Sequence, residues 1–444
     1  MKNSIRFVNH ASVLINQGKK GILCDPWYSS NAFHKGWNLL FENSVQDIIE
    51  VINKTSFIWI SHEHPDHFSI KFFKDYGEII KENKIKILFQ QTKDKRVVTF
   101  LQKSGFEVKE LILDKWFFLG NDLRVMCLKE GQYDSALLVE SEDEKILNLN
   151  DCAIRNYSAA NKFLKKTGVV NVLLTQFSYA AWKGGKSNKS WRESAALEKL
   201  ESIKIQAEVF KPKYVIPFAS FVYFSNTENF YLNDCKNTTN KILNYFDNTS
   251  INIIIMKPGD VLGSVLQNIN SDKANQFWMN LYEELSFRSL NDFDVVDLET
   301  LEKFFKSYRK RIVKNNNFVL MRLIRFVSPI KIFQPVTIFI NDVGKTIKFD
   351  YLKNYFRVTN DKPMIQMRSE SLAFIFKNTF GFDTLTVNGC FEEVTSGGFT
   401  QATKTMAIEN FNNNGIYFSI GLLFNFRLII RSFYTLFIVS RKLK

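Results

Sequence analysis

Histidine is scarce in this chain and confined to its beginning. There are five, and none follows His67. Cysteine is as sparse: Cys24, Cys127, Cys152, Cys235 and Cys390 are scattered, with no CxxC or CxH pair. That spacing excludes a zinc ribbon, a cysteine-bound cluster and a disulfide framework, and reduced intracellular thiols are expected. No run of about 20 uncharged apolar residues occurs. The longest apolar stretch, GIYFSIGLLFNFRLIIRSFYTLFIVSRKLK, is interrupted by Arg427 and Arg431, so a spanning helix is not expected. The opening MKNSIRFVNHASVLI lacks the apolar core and cleavage site of a signal peptide. Internal repeats, low-complexity segments and nucleic-acid-binding motifs are also missing. A cytoplasmic protein that binds no nucleic acid is expected, with a peripheral position on the inner face of the membrane as an option considered below.

What is present fits a globular protein. The chain has 444 residues, 45% hydrophobic and 23% charged, long enough for two or three domains. The formal net charge of +14 favours an anionic partner: a small anionic substrate or a membrane surface. Residues 1–268 alternate β-like and helical runs. IRFVNHASVLI and GILCDPW read as two strands joined by NQGKK. SFIWISH reads as a buried strand, SIKFFKDYGEIIKEN as a helix, and SWRESAALEKLESIKIQAEVFKP as a long helix before the strand YVIPFAS. Repeated strand–helix units with extra strand pairs predict a layered α/β fold. The polar stretch NINSDKANQ marks a boundary, and residues 269–444 form a smaller α+β domain. In it, DLETLEKFFKSYRKRIVKNNNFVLMRLIRFV reads as helix, QPVTIFINDVGKTIKFDYL as a hairpin turning at NDVG, SESLAFIFKNTFG as a helix and DTLTVNGCFEEV as a strand.

The chemistry concentrates in SHEHPDHF. His62, His64, Asp66 and His67 form an HxHxDH pattern at the exit of a buried strand, where i and i+2 share a side and Pro65 turns the chain. Imidazole and carboxylate together suit zinc, iron or manganese. A polar surface loop is the bland alternative, and four ligand-type residues at this spacing argue against it.

HxHxDH after a hydrophobic strand resembles the metallo-β-lactamase fold superfamily. VNHASVLI, LCDPWYSSNAFHKGW, LNLNDCAI and FKPKYVIPFASFVYF are similar, in order, to segments of its sugar- and lipid-acting branch. The resemblance covers about residues 1–260. It implies an αββα sandwich holding one or two divalent metal ions (Zn, Fe or Mn). It further implies that His62 and His64 hold one metal, that Asp66 and His67 hold the second or orient a water, and that Asp151 bridges. Asp66 is then the natural proton acceptor for the attacking water. NDCAI, LLTQFSYAAW and the long KPKYVIPFASFVYFSNTENFYLND more loosely resemble the metallo-β-lactamase-like domain of the CMP-N-acetylneuraminate hydroxylases.

The chain departs from the family's usual five-histidine set. EGQYDSALLV stands where one further histidine is expected and IPFAS where another is. Gln132, Tyr133 or Asp134 are candidates for the first place; Phe218 cannot ligate. His62, His64 and Asp151 alone would make a 2-His-1-carboxylate set with open positions, the arrangement of non-haem iron oxygenases. The Rieske [2Fe–2S] centre that accompanies such hydroxylases needs a CxH…CxxH pair, which is missing, so a separate electron donor is expected. The leading expectation is a metal-dependent hydrolase of an ester, amide or phosphodiester of a sugar, nucleotide-sugar or lipid. The runner-up is an iron-dependent hydroxylase of a sugar nucleotide; the third is a non-catalytic scaffold.

Weaker candidates surround this set. His10 borders the metal or is a hydrogen-bonded core histidine. Asp25 reads as a turn former near the site, and His34 has less to support it. Trp182, Lys183, Lys186 and Arg192 lie in AAWKGGKSNKSWR, a loop that clamps a phosphate or is simply solvated. Lys303, Lys306, Arg309, Lys310, Arg311, Lys314, Arg322 and Arg325 stand among apolar residues, a pattern of either an anionic-membrane helix or a helix packed on its own domain. The order of elements over residues 335–395 suggests a lipid-binding module without a specific motif for one.

Overall fold

The computed structural model describes residues 3–421 except 121, 132, 142–143, 264–268 and 420. Gln132 and the apolar stretch from 422 onward therefore lie outside the described residues.

Alternation in the strands builds two facing sheets. In Phe57–Ile60, Trp59 points into the central core while Ile58 and Ile60 point outward; in Lys86–Gln90, Leu88 points in while Ile87 and Phe89 point out. Buried on both sides, these strands read as continuous apolar runs. The first sheet has the order Val261–Gly263, Ser4–Asn9, Ser12–Gln17, Lys20–Cys24, Phe57–Ile60, Lys86–Gln90, Val108–Leu111, and is parallel from Lys20–Cys24 onward. The second runs Tyr214–Phe218, Val172–Gln176, Lys145–Asn148, Ser135–Ser141, Leu123–Lys129, Trp116–Phe118, with its first three strands parallel. Helices Val45–Asn53, Ile70–Asp75, Gly77–Glu82 and Arg96–Lys103 cover the first sheet, and Tyr157–Thr167 with Lys189–Phe210 lie beside the second. This is the expected αββα sandwich. The carboxyl ends of its parallel strands deliver Asp25, Ser61–His67, Asn150–Asp151, Gln176 and Ala219 to one rim, where ligands bind in open α/β sheets.

The remainder forms a five-stranded sheet, ordered Tyr355–Val358, Lys345–Asp350, Val336–Ile340, Ile365–Met367, Glu392–Glu393, packed with helices that include Leu298–Asn315, Ser369–Lys377 and Gly398–Met406. Its core is not its own. Trp27, Trp37, Tyr179, Trp182, Phe224 and Leu232 from the sandwich join Phe305, Phe349, Phe376 and Phe399 in one apolar cluster. Helix Ser271–Glu283 packs the other way, stacking Trp278 on Phe221 at 3.9 Å in the sandwich core.

Three local expectations are corrected. IRFVNHASVLI is not one strand but a hairpin, Ser4–Asn9 and Ser12–Gln17, because His10 takes a left-handed turn (φ 24°) and its N–H is held by Asn9 Oδ1 at 2.8 Å. The helix expected over residues 297–327 breaks at Asn316 and restarts at Phe318, where Asn317 caps the Leu320 N–H. DTLTVN is helical: Gly381–Asn388 ends at left-handed Gly389 and buries Phe382 and Leu385, three apart, where a strand would need alternation. No helix among the described residues is long and apolar enough to cross a membrane.

Candidate metal centre

Two ligand groups, one partly and one fully buried, meet at the rim. In the first, His62 Nε2 lies 2.9 Å from His64 Nδ1 and 3.7 Å from Asp134 Oδ1. In the second, His67 Nε2 lies 3.2 Å from Asp66 Oδ2, which is 3.4 Å from His10 Nε2. Asp151 Oδ2, 3.5 Å from His67 Nε2, stands between them within reach of His62. The strand exit explains the arrangement: His62 and His64 leave on one side, and the turn accepting the His67 and Phe68 N–H groups on the His64 carbonyl swings Asp66 and His67 around.

Asp25 is the hub behind the ligands. Buried, and in a left-handed conformation (φ 40°), it accepts the Ser61 N–H and Ser61 hydroxyl at 2.8 Å and faces His67 Nδ1 at 3.0 Å; Asn150 also donates to it. Ser61 Oγ in turn touches His62 Nδ1 at 2.9 Å. Both inward-facing rings thus have their far nitrogens held, the arrangement that fixes a ligating histidine. Gln176 holds Asp151 Oδ1 at 2.8 Å and is itself held by Lys199.

The charges are interlocked. Burial works against a charged His67, but Asp66, Asp151 and Asp25 together outweigh it and hold its pKa well above the usual value. Burial likewise works against the Asp66 and Asp151 carboxylates, and His67 overrides it in both, keeping them low. Burial and the neighbouring His67 push His62 down to about 4. Burial, then Asp151, raises Asp134.

The donor set fits a divalent cation. Two imidazole nitrogens confront each other across 2.9 Å, and Asp66 Oδ1, His67 Nε2 and His10 Nδ1 are buried without a hydrogen-bond partner. Such groups are costly unless something satisfies them, and mixed nitrogen and carboxylate donors match zinc, iron or manganese. Asp134 belongs to the segment where the usual histidine is missing. His10 reaches the second group through the turn that breaks the first strand. Both enlarge the thin five-residue site expected from the sequence.

The other candidates lie apart. His34 stacks on Phe374 at 3.9 Å, with Nε2 3.6 Å from Glu370, in a cavity of about 330 Å³ between the two parts. Trp182 is buried against Phe391 and Phe399. Lys186 places its ammonium 5.8 Å from the Tyr231 ring, and its backbone N–H donates to Glu392. Arg192 forks onto Asp234 at 2.8 Å twice and ties the loop through the Gly185 carbonyl. Lys183 lies close enough to Lys199 to depress it, behind burial and Arg155, toward about 8.

Gln176 lies in the LLTQFSYAAW segment, which does not single it out, and Asp383 carries no motif signal. Asp383, from helix Gly381–Asn388, feels His64 and Asp134 after the burial that raises it. The loop before the helix-rich part is held as tightly. Phe33, His34 and Lys35 are all left-handed, with φ of 50°, 54° and 59°. The carbonyls of Phe33, Lys35 and Gly36 accept amides from Asn388, Asn291 and Asn229 at 3.1, 3.1 and 2.9 Å respectively. The Phe33 ring then sits 5.7 Å from His64.

A two-sheet sandwich with this rim of histidines and aspartates defines a metallo-β-lactamase superfamily domain, and residues 4–219 match the family model described as a beta-lactamase superfamily domain. Residues 4–219 are thus a domain of that superfamily, whose members bind divalent metals and are mostly enzymes. It is similar to cytidine monophosphate-N-acetylneuraminic acid hydroxylase of Xenopus laevis, 27% identical over 274 residues, covering 58% of this chain and 44% of that protein. Similarity to the Mus musculus hydroxylase is 27% over 291 residues, covering 61% and 49%. The chain spans about half the length of the curated relatives it matches. Among solved structures, the diiron beta-hydroxylase CmlA from Streptomyces venezuelae aligns with a TM-score of 0.44 and 12% identity, over 59% of this chain and 54% of that one. A metallo hydrolase from Ignicoccus hospitalis aligns at 0.41 and 15%, over 60% and 100%.

Proposed function

We propose that this protein is an iron-dependent oxygenase that hydroxylates an anionic sugar nucleotide. The observation that carries the reading is the convergence of His62, His64 and Asp134, a 2-His-1-carboxylate group with open positions beside a second group of His10, Asp66, His67 and bridging Asp151. The similarity to the CMP-N-acetylneuraminic acid hydroxylases points to the substrate class, and the net charge of +14 suits an anion. Iron, when bound, supplies the redox chemistry with dioxygen that side chains lack. The overall reaction places one oxygen atom in a C–H bond and reduces the other to water. It consumes two electrons and two protons, the electrons coming from a donor protein outside this sequence. Asp25, Ser61 and Gln176 lock the ligand rings and Asp151, and the Phe33 and Tyr133 rings flank His64.

Protein purified without oxygen and loaded with Fe(II) is expected to retain one or two irons per chain. With a reduced ferredoxin it is expected to convert CMP-N-acetylneuraminate to a hydroxylated product with matching oxygen uptake. Asp134→Ala loses iron and product together. Hydrolysis is the second reading, favoured by Asp66, whose Oδ1 is buried without a partner and free to take a proton from water. An oxygen-independent phosphodiesterase or esterase rate in zinc-loaded protein, with no product from iron-loaded protein, would replace the first reading by the second. Failure to retain any metal removes both and leaves the scaffold.

A membrane role is proposed on different grounds from those the sequence suggested. Arg311 and Arg325 are paired with Glu409 and Asp350, and Arg309 and Arg322 donate to the Tyr351 and Leu352 carbonyls. What faces outward on helix Phe318–Val327 is an apolar ridge of Val319, Leu323, Phe326 and Val327. Sedimentation with anionic liposomes at low and high salt tests it; no binding in either removes it.

A further inference from the structure

The metal ligands all come from the first 151 residues, yet the wall beside His64 does not. Tyr133 lies with its ring 6.3 Å from that of His64, and its hydroxyl accepts the Asn414 side-chain amide at 2.8 Å. Asn414 also donates to the Asn410 carbonyl at 2.7 Å. Asn410 Nδ2 approaches Asp383 Oδ1 at 3.5 Å, and Asp383 closes the circuit as an electrostatic neighbour of Tyr133, His64 and Asp134. A chain of side chains thus runs from the C-terminal part to Tyr133, whose ring stands beside His64.

The chemistry of this wall is lopsided toward acceptors. Among the described residues, Asp383 has only the long Asn410 amide on one of its two carboxyl oxygens and no cation paired with it. Asn410 Oδ1 is buried and makes no hydrogen bond. The Tyr133 hydroxyl accepts from Asn414 and keeps its own proton to give. An acceptor-rich surface calls for a ligand rich in hydroxyl donors, because a buried acceptor left unpaired is penalised by the full cost of its desolvation. Adjacent hydroxyls on a polyol span a carboxylate well.

We propose that Asp383, Asn410 and Tyr133 form the substrate-recognition wall of the metal centre and bind the hydroxyl-bearing sugar portion of the substrate. The C-terminal part thereby supplies specificity while the sandwich supplies the metal. This rests on the reading of the centre as one that acts on a sugar nucleotide. None of the three belongs to the His10, Asp66, His67, His62, Asp151, His64 and Asp134 groups that could hold a metal, and a site built to bond hydroxyls rejects ligands that lack them.

The test uses the full chain loaded with zinc and titrated by calorimetry with CMP-N-acetylneuraminate, free N-acetylneuraminate and CMP as separate arms. Wild type is expected to bind both sugar-containing probes. Asp383→Ala and Asn410→Ala each weaken them at least tenfold, leave CMP binding unchanged and keep wild-type metal content. Asp383→Asn, which retains one acceptor and the shape, recovers part of the loss. Equal sugar binding by wild type and Asp383→Ala overturns the proposal. So does loss of metal in Asp383→Ala as complete as in Asp134→Ala, which would make Asp383 a ligand. Absence of sugar binding by metal-loaded wild type overturns it as well. If sugar binding depends on Asp383 while iron-loaded protein yields no hydroxylated product, the oxygenase reading falls and the recognition wall stands.

Discussion

Asp25 shows how a residue outside the ligand groups fixes the rings within them. It receives Ser61, Asn150 and His67 on two oxygens, so its loss frees the imidazole that Asp66 and Asp151 confront. Asp25→Ala is expected to lower metal affinity by roughly 10–100-fold, the usual cost of removing an outer-sphere partner; competition with a chromophoric chelator measures it. Lys236 makes a separate prediction. Burial pushes its pKa from 10.5 down to about 7, its ammonium donating to the Val222 carbonyl over the Phe224 ring in an apolar setting. The unfolded chain therefore holds a proton that the folded one gives up between those two values, so stability from this group rises with pH across that window and the full penalty applies below it. Lys236→Met should raise the melting temperature most at pH 6, with the advantage shrinking toward pH 10; calorimetry at a series of pH values checks it. Residue by residue, the convergence of His62, His64, Asp66 and His67 was legible because a strand exit and one turn bring them together. Asp134 was legible only as one of three candidates in EGQYDSALLV, and Asp383 not at all, since its neighbours to His64 are hundreds of positions away.

At the scale of elements, the buried strands could be read because alternation and apolar runs persist in them. The hairpin at His10 could not, since its left-handed turn has no glycine to announce it. Helix Gly381–Asn388 was mistaken for a strand because Thr384, Thr386 and Val387 favour extended chain locally, and packing decided otherwise. That helix meets the sandwich tightly at Gly36: a Cβ there would stand 2.4 Å from Asn388 Cβ and 2.8 Å from the Phe33 carbonyl. Gly36→Ala is expected to cost about 1–3 kcal/mol, as overpacking does. Urea denaturation reads the loss, and an unchanged midpoint would mean the helix is not seated there.

For the whole molecule, the decisive feature is a core with two owners. The sequence boundary near residue 268 rests on a polar stretch and on a change in pattern, neither of which reports which apolar faces meet. Trp27, Trp37, Tyr179 and Trp182 are covered by Phe391, Phe399 and their neighbours from the C-terminal part. Two parts joined this way should melt together. A single calorimetric transition, with calorimetric and van't Hoff enthalpies equal, is expected for the full chain; two separated transitions would show that the shared cluster contributes little.

The asparagine-clamped loop at Phe33–Gly36 has a further consequence, for the order in which the molecule is made. Left-handed backbone at three successive non-glycine residues costs roughly 1–2 kcal/mol each, and the amide that holds Phe33 comes from Asn388, 355 positions later. Contacts so distant form late. Early in refolding the sandwich and its histidines are predicted to be in place while the approach to His64 stays open. Pulsed hydrogen exchange should then protect strand Phe57–Ile60 before the amides of residues 33–37.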